Sequence, residues 1–195
     1  VNIFTVNDNP VFAAFDLPDK LVVKMPTESL QLLTPYCFNQ FNEYIQKPDG
    51  TNYGTKGFAH HPCAKWLYES PANPWWLLVH ANAMCDAYRR RYHKTHGVVK
   101  GLQQIENLLE KHHSNVSYHD HTPFVTAMPD DYKIEGDPVQ SYRDYLIGNK
   151  GYAEWRYSEK PTWWDDKKHE PCRKQYLAER EAKRMKRKHE RATAM

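Results

Sequence analysis

Apolar side chains recur along this chain at three- and four-residue intervals, and prolines interrupt them. This is the helical period, and no stretch of useful length alternates with period two. Asn9-Pro10 places an N-capping amide before a proline at the first helical position, which predicts a short helix through Phe15. After Leu17-Pro18, the set Leu21, Val22, Met25, Leu30, Leu32 and Leu33 predicts a second helix from Asp19 to about Tyr44, kinked at Pro26 and divided again at Pro35. His61-Pro62 opens a short helix through Tyr68, and Asn73-Pro74 caps a long one to about His93. The long helix carries a stripe of Trp75, Leu78, Val79, Asn82, Met84, Cys85 and Tyr88. Leu102, Ile105, Leu108 and Leu109 mark another helical face. Asp137-Pro138-Val139-Gln140 reads as a capping box whose helix ends near Ile147, with Gly148 as the residue after the cap.

Between these elements, residues 47–57 and 114–136 read as loops, and residues 3–6 as a short strand or an extended arm. A Trp/Tyr-rich stretch runs to Trp164. The expected fold is all-α: one helical domain over residues 1–166 with a short N-terminal arm, then a basic helical extension over 167–195 that does not need to pack on it.

Composition supports one folded domain. With 195 residues, 40% hydrophobic and 26% charged, the chain can bury a core of its own. Mean hydropathy is −0.87, and no apolar run approaches the roughly 18 residues of a membrane span. The opening Val1-Asn2-Ile3-Phe4 lacks the basic-then-apolar order of a secretion signal. Four scattered cysteines make no disulfide framework. Together these point to the cytoplasm, or the host cytoplasm for a viral protein, and to no membrane partner.

Charge changes the picture more. Lys167 to Arg191 contains eleven Lys or Arg against four Glu, a net +7, so a chain of net +3 has a body of −4. Such asymmetry points to a polyanionic partner for the tail, centred on Lys183, Arg184, Lys186, Arg187 and Lys188; a solvated, salt-bridged terminal helix is the other reading. A second basic cluster, Arg89, Arg90, Arg91 and Lys94, closes the long helix with tyrosines interleaved. It serves either the helix dipole or a nucleic-acid groove. Three consecutive arginines span most of the helix circumference, so at least one must point inward or at a partner.

Motif chemistry is sparse. There is no P-loop, no dinucleotide fingerprint, no zincin motif and no nucleophile elbow. The groups His60-His61-Cys63, Cys85-His93-His96 and His119-Asp120-His121 lack zinc-site spacing and read as partly buried histidines and core cysteines. No metal or cofactor is expected. Trp163-Trp164 lies outside helical pattern, where exposed aromatics commonly serve recognition. Glu28, set among apolar neighbours, is a candidate proton-transfer group.

Several short segments resemble one family. Val1-Asn2-Ile3 resembles the start of the arm of the phage pyrimidine-dimer DNA glycosylase/AP lyases of endonuclease V type. Asp19-Lys20-Leu21 falls near that family's Arg-Glu-Leu, Phe58-Ala59-His60-His61-Pro62 resembles an aromatic-His-His-Pro element of bacterial relatives, and Lys160-Pro161-Thr162-Trp163-Trp164 resembles its Arg-Pro-Thr-Trp-Tyr. The resemblance implies a small all-helical DNA-repair enzyme whose α-amino group attacks the sugar of a damaged or modified pyrimidine. It assigns the nucleophile to Val1. In ungapped register the family's catalytic glutamate falls at Lys20, which leaves Glu28 as the nearest acid for its role, with Lys20 and Lys24 to hold a phosphate. An α-amino group titrates near roughly 7.7, well below lysine, which suits it to nucleophilic attack at neutral pH. DNA or another nucleic acid is the implied partner. The alternative is a non-catalytic nucleic-acid-binding or virion- or complex-associated protein, using the basic tail on nucleic acid or its helix on a protein partner.

Overall fold

The computed structural model describes residues 1–193, and among them the fold is all-α: seven α-helices, two single 3₁₀ turns and no strand. The helices are α1 (Pro10–Asp16), α2 (Asp19–Phe41), α3 (Pro62–Trp66), α4 (Ala72–Tyr92), α5 (Val99–His113), α6 (Pro138–Asn149) and α7 (Asp166–Thr193). The 3₁₀ turns, Tyr118–Asp120 and Asp130–Tyr132, lie in the connection that pattern alone leaves irregular. Residues 194 and 195 of the expected extension lie outside the described residues.

Helix α4 is the centre of the fold, with α1, α2 and α5 packed around it. Its expected single stripe is therefore too narrow. Trp76, Leu77, Leu78, His80, Ala81, Ala83, Met84, Cys85 and Ala87 are all buried, while Trp75 and Val79 are only half covered. A helix enclosed by neighbours shows little amphipathic pattern, because nearly every face has a partner. Of the Trp75-Trp76 pair, Trp76 is the core residue, edge-on to Trp66 at 6.2 Å. Trp75 reaches outward far enough to donate to the His113 carbonyl at 3.2 Å.

Helix α2 runs unbroken through Pro26 and Pro35 and stops at Phe41 rather than Tyr44. An internal proline removes one backbone hydrogen bond and crowds the preceding turn, at a cost of about 3 kcal/mol. Both prolines are buried, so packing against the core offsets that cost. The helix ends where Asn42 adopts φ 56°, a left-handed conformation that Asn tolerates better than most residues, and its N–H bonds the Phe38 carbonyl. Asn73, expected as an N-cap, instead sits buried inside the first turn of α4. It donates to the Trp66 carbonyl and to Thr122 Oγ1 and accepts from the Thr122 N–H, tying the loop before α4 to residue 122. The capping box before α6 is half formed: the Asp137 carboxylate accepts from Gln140 N–H at 2.9 Å. Gly148 lies within α6, not after it, where a side chain would strike the Tyr132 ring.

The extension does not hang free along its whole length. Asp165 caps α7, accepting from the N–H groups of Lys167 and Lys168. The first turns then dock on α6: His169 is buried with Nδ1 on the Ile147 carbonyl, and Arg173 donates to the Gly151 carbonyl. Gly151 is needed there, since a Cβ would lie 2.5 Å from Tyr176 Cβ and 2.6 Å from the Cys172 carbonyl. From residue 177 to residue 191 the helix is exposed throughout.

His80 carries a stability consequence. It is fully enclosed, stacked on Trp76 at 5.0 Å, and burial pulls its pKa down to about 3. Its unfolded form takes a proton near pH 6.5, so native stability is complete above that pH. It is lost as pH falls toward 3, at up to about 1.4 kcal/mol per unit. The urea midpoint is expected to drop between pH 6.5 and 4, and to drop less in His80→Leu. Parallel curves for the two proteins would show that other groups govern acid unfolding.

Candidate active site

The first six residues form an arm that passes through the core. Ile3, Phe4 and Val6 are buried, with no strand partner. Asn2 organises the arm. Its Oδ1 accepts from the N–H groups of Ile3 and Phe4 at 2.8 and 3.2 Å, and its Nδ2 donates to the Ala127 carbonyl at 2.7 Å. That nest holds Phe4 at φ 45°, a conformation costing a non-glycine residue about 1–2 kcal/mol. The Phe4 ring returns the cost by packing against Tyr142 and stacking on Tyr145. Farther along, Arg143 Nε donates to the Val6 carbonyl at 2.9 Å.

This anchoring delivers the Val1 amine to Glu28 on α2. The amine nitrogen lies 3.6 Å from Glu28 Oε2, and the Asn2 N–H meets the same oxygen at 3.2 Å. The other oxygen takes Lys24 Nζ at 2.7 Å, one turn earlier on the helix. The carboxylate is therefore shared between the Val1 amine and an exposed ammonium, with its own side chain only 11% exposed. His61 faces the same group. Its Nδ1 accepts from the Cys63 N–H to cap α3, and its pKa is lowered by burial first and by the Val1 ammonium second, with Glu28 opposing. An amine in contact with a carboxylate that can accept its proton is the minimum needed for attack on an electrophilic carbon.

Lys20 is not part of that cluster. Its Nζ donates to Tyr176 OH at 2.8 Å and lies over the rings of Tyr152 and Tyr176 at 5.0 and 5.1 Å. It lines an open cleft of about 280 Å³ walled by Tyr92, Tyr152, Tyr157 and Tyr176 and rimmed by Arg156, Arg173 and Arg180, with Asp19 and Glu154 at its base. Tyr152 relates the cleft to the amine site. Burial is the first cause that raises its pKa, to about 12, and the Glu28 charge is among the others.

The structure separates the other candidates. Arg91 is withdrawn from any surface role. Its side chain is 3% exposed and its guanidinium donates to the carbonyls of Phe15 and Leu17 and to Asp19 Oδ1. It is the one arginine of the triplet that had to turn inward. Arg89 and Arg90 are exposed, the first paired with Asp86 and the second over the Phe15 ring at 4.9 Å. Lys94 and His60 are also exposed. Trp163 and Trp164 are half-buried, and each makes contacts within the fold. Trp163 Nε1 donates to Asp16 Oδ2, and Trp164 packs edge-on to Trp155 and donates to Asp166. Lys183, Arg184, Lys186, Arg187 and Lys188 lie on the exposed half of α7. Among the described residues, no three His, Cys, Asp or Glu side chains gather as a metal site would require.

Sequence pattern does not single out Asn2, Tyr152 or Tyr176. The only signal for Asn2 is a polar residue inside an apolar arm. The two tyrosines meet only because α7 folds back on Gly151.

In comparisons with known proteins, the family model described as pyrimidine dimer DNA glycosylase matches residues 1–100, the half that holds the arm, Lys24, Glu28 and His61. No curated protein and no solved structure matches the chain.

The inward turn of Arg91 is testable. Arg91→Met leaves Asp19 buried without its cation and is expected to cost about 3–5 kcal/mol in urea unfolding. The double variant with Asp19→Asn should recover part of that loss. A change below about 1 kcal/mol together with weakened DNA binding would return Arg91 to the surface role.

Proposed function

Because this chain belongs to the pyrimidine dimer DNA glycosylase family, we propose that it excises damaged or modified pyrimidines from DNA with the Val1 amine as nucleophile and Glu28 as the proton-transfer group. The observation that carries this reading is the 3.6 Å approach of the amine to Glu28, maintained by a buried arm and not by a surface contact. In a chain processed so that Val1 is its first residue, Glu28 accepts the ammonium proton and frees the lone pair. The amine nitrogen then bonds to C1′ of the sugar as the C1′–N glycosidic bond breaks, and the base leaves with the bonding pair and takes up a proton. Opening of the sugar ring gives an imine between Val1 and C1′. Loss of a C2′ proton then expels the 3′ phosphate and breaks the strand.

Lys24 has two uses in this scheme. Its 2.7 Å pair orients Glu28, and its exposed ammonium is placed to meet a DNA phosphate beside the site. His61, with Nδ1 occupied as a helix cap, holds a neutral ring whose Nε2 carries the proton. The target base must leave the stack before C1′ can be reached.

The imine provides the test. Borohydride added during incubation with duplex DNA containing an abasic site is expected to trap a covalent adduct that maps to Val1. Glu28→Gln should lower strand cleavage by roughly 10²-fold or more, the usual worth of a positioned acid–base group, with the folded structure retained. An adduct on Lys20 or Lys24, or none in the unaltered protein, would overturn the amine mechanism. Salt-dependent DNA binding without any adduct would leave the binding-only reading.

A further inference from the structure

One side of the exposed half of α7 carries an unbroken run of cations, with Lys167, Lys168, Lys174 and Lys186 off it. Arg180, Lys183, Arg184, Arg187, Lys188 and Arg191 follow one another at alternating intervals of three and one residues. At 100° per residue they occupy an arc of about 140°. All lie on the exposed half of the helix, while Ala178, Ala182 and Met185 fall on the opposite side. Solubility alone does not call for this arrangement. Arg180, Arg184 and Lys188 are spaced i, i+4, as are Lys183, Arg187 and Arg191. Each such like-charge step destabilises an isolated helix by about 0.2–0.5 kcal/mol. A helix that needed only to stay dissolved would alternate its signs. Six cations on one arc fit a ligand that brings a row of negative charge.

The stripe also continues into the tyrosine-lined cleft at Lys20. Tyr176 and Arg180 belong at once to the stripe and to the wall of the tyrosine-lined cleft, beside Lys20, Tyr152 and Arg173. The docked first turns of α7, anchored through Gly151 and His169, fix where the exposed half begins. From Tyr176 to Arg191 the helix extends about 22 Å, the length of some six or seven base pairs at roughly 3.4 Å each.

We infer that this face of α7 is a rail for the phosphate backbone of duplex DNA flanking the Val1–Glu28 site, extending the contact by about seven base pairs on one side. The inference rests on the DNA-processing reading above. It goes beyond it by assigning a partner surface to the half of the chain that lies outside the family match.

The experiment compares two variants of the full chain that lose equal charge. One removes stripe cations, Arg184→Gln, Arg187→Gln and Arg191→Gln. The other removes cations of α7 off the stripe, Lys167→Gln, Lys168→Gln and Lys174→Gln. Affinity for a duplex with a central abasic site is measured against salt. Each neutralised phosphate contributes roughly 0.9 to the log–log slope, so the stripe variant should lose between about two and three units and the control less than one. The unaltered protein should also lose affinity when the site is moved to within about three base pairs of one duplex end, and the stripe variant should not. Equal loss in both variants would reduce the effect to total charge. No loss in either would remove DNA from this face and leave an acidic protein as its partner. Borohydride trapping by the unaltered chain on the same duplex reads the catalytic proposal independently of both.

Discussion

One buried ion pair sets the frame of this molecule. Arg91, at the end of α4, holds Asp19 at 3.1 Å and at the same time bonds the carbonyls of Phe15 and Leu17. Asp19 in turn accepts from the Arg156 N–H at 2.8 Å, and its own N–H donates to the Glu154 carbonyl. Four pieces of chain meet at this point: the end of α1, the start of α2, the end of α4 and the 154–156 segment. A charge pair taken from water is rarely a large net gain, but it is costly to break because each partner would be left buried and alone. It therefore specifies how these pieces meet, and by fixing the start of α2 it fixes the direction of the helix on which Glu28 stands about two and a half turns later.

The amine site depends on that frame and on a second, softer device. An extended chain end normally frays, because few contacts repay the entropy of ordering it. Here three buried apolar side chains and the four polar contacts of Asn2 hold the arm from both sides. Glu28 then meets the amine without a further conformational change. Such preorganisation suits the nucleophilic role proposed for Val1, since the entropic cost of bringing these two groups together is met in folding.

Helix α7 joins these parts to the outer surface. Its first turns complete the fold by covering α6 and Gly151, and they bring Tyr176 over Lys20 as one wall of the cleft. Its remaining turns leave the body with their cations exposed. Helix α7 is thus one continuous helix, docked on the body in its first turns and exposed from residue 177 to residue 191.

The helical character of the chain was legible from periodicity and proline placement, since apolar spacing and N-terminal prolines are local properties. The basic tail was legible in the same way, whereas Val1 and Glu28 as a pair worth testing came from the family resemblance. What pattern could not decide was which polar groups turn inward. Three consecutive arginines announce that one must point to the interior, but only the carbonyls of α1 and the carboxylate of Asp19, more than 70 residues away, select Arg91. Asn73 looks like a cap until Thr122 engages it, and nothing local announces that Asp16 takes the Trp163 indole N–H. Pro26 reads as a kink and Pro35 as a break because propensity is local, and both are tolerated within one helix because the packing that offsets them is not. The 3.6 Å approach of Val1 to Glu28 belongs to the same class. The two residues are local in neither sequence nor secondary structure, and it takes the folded arm, pinned at Ala127 and packed on α6, to bring them together.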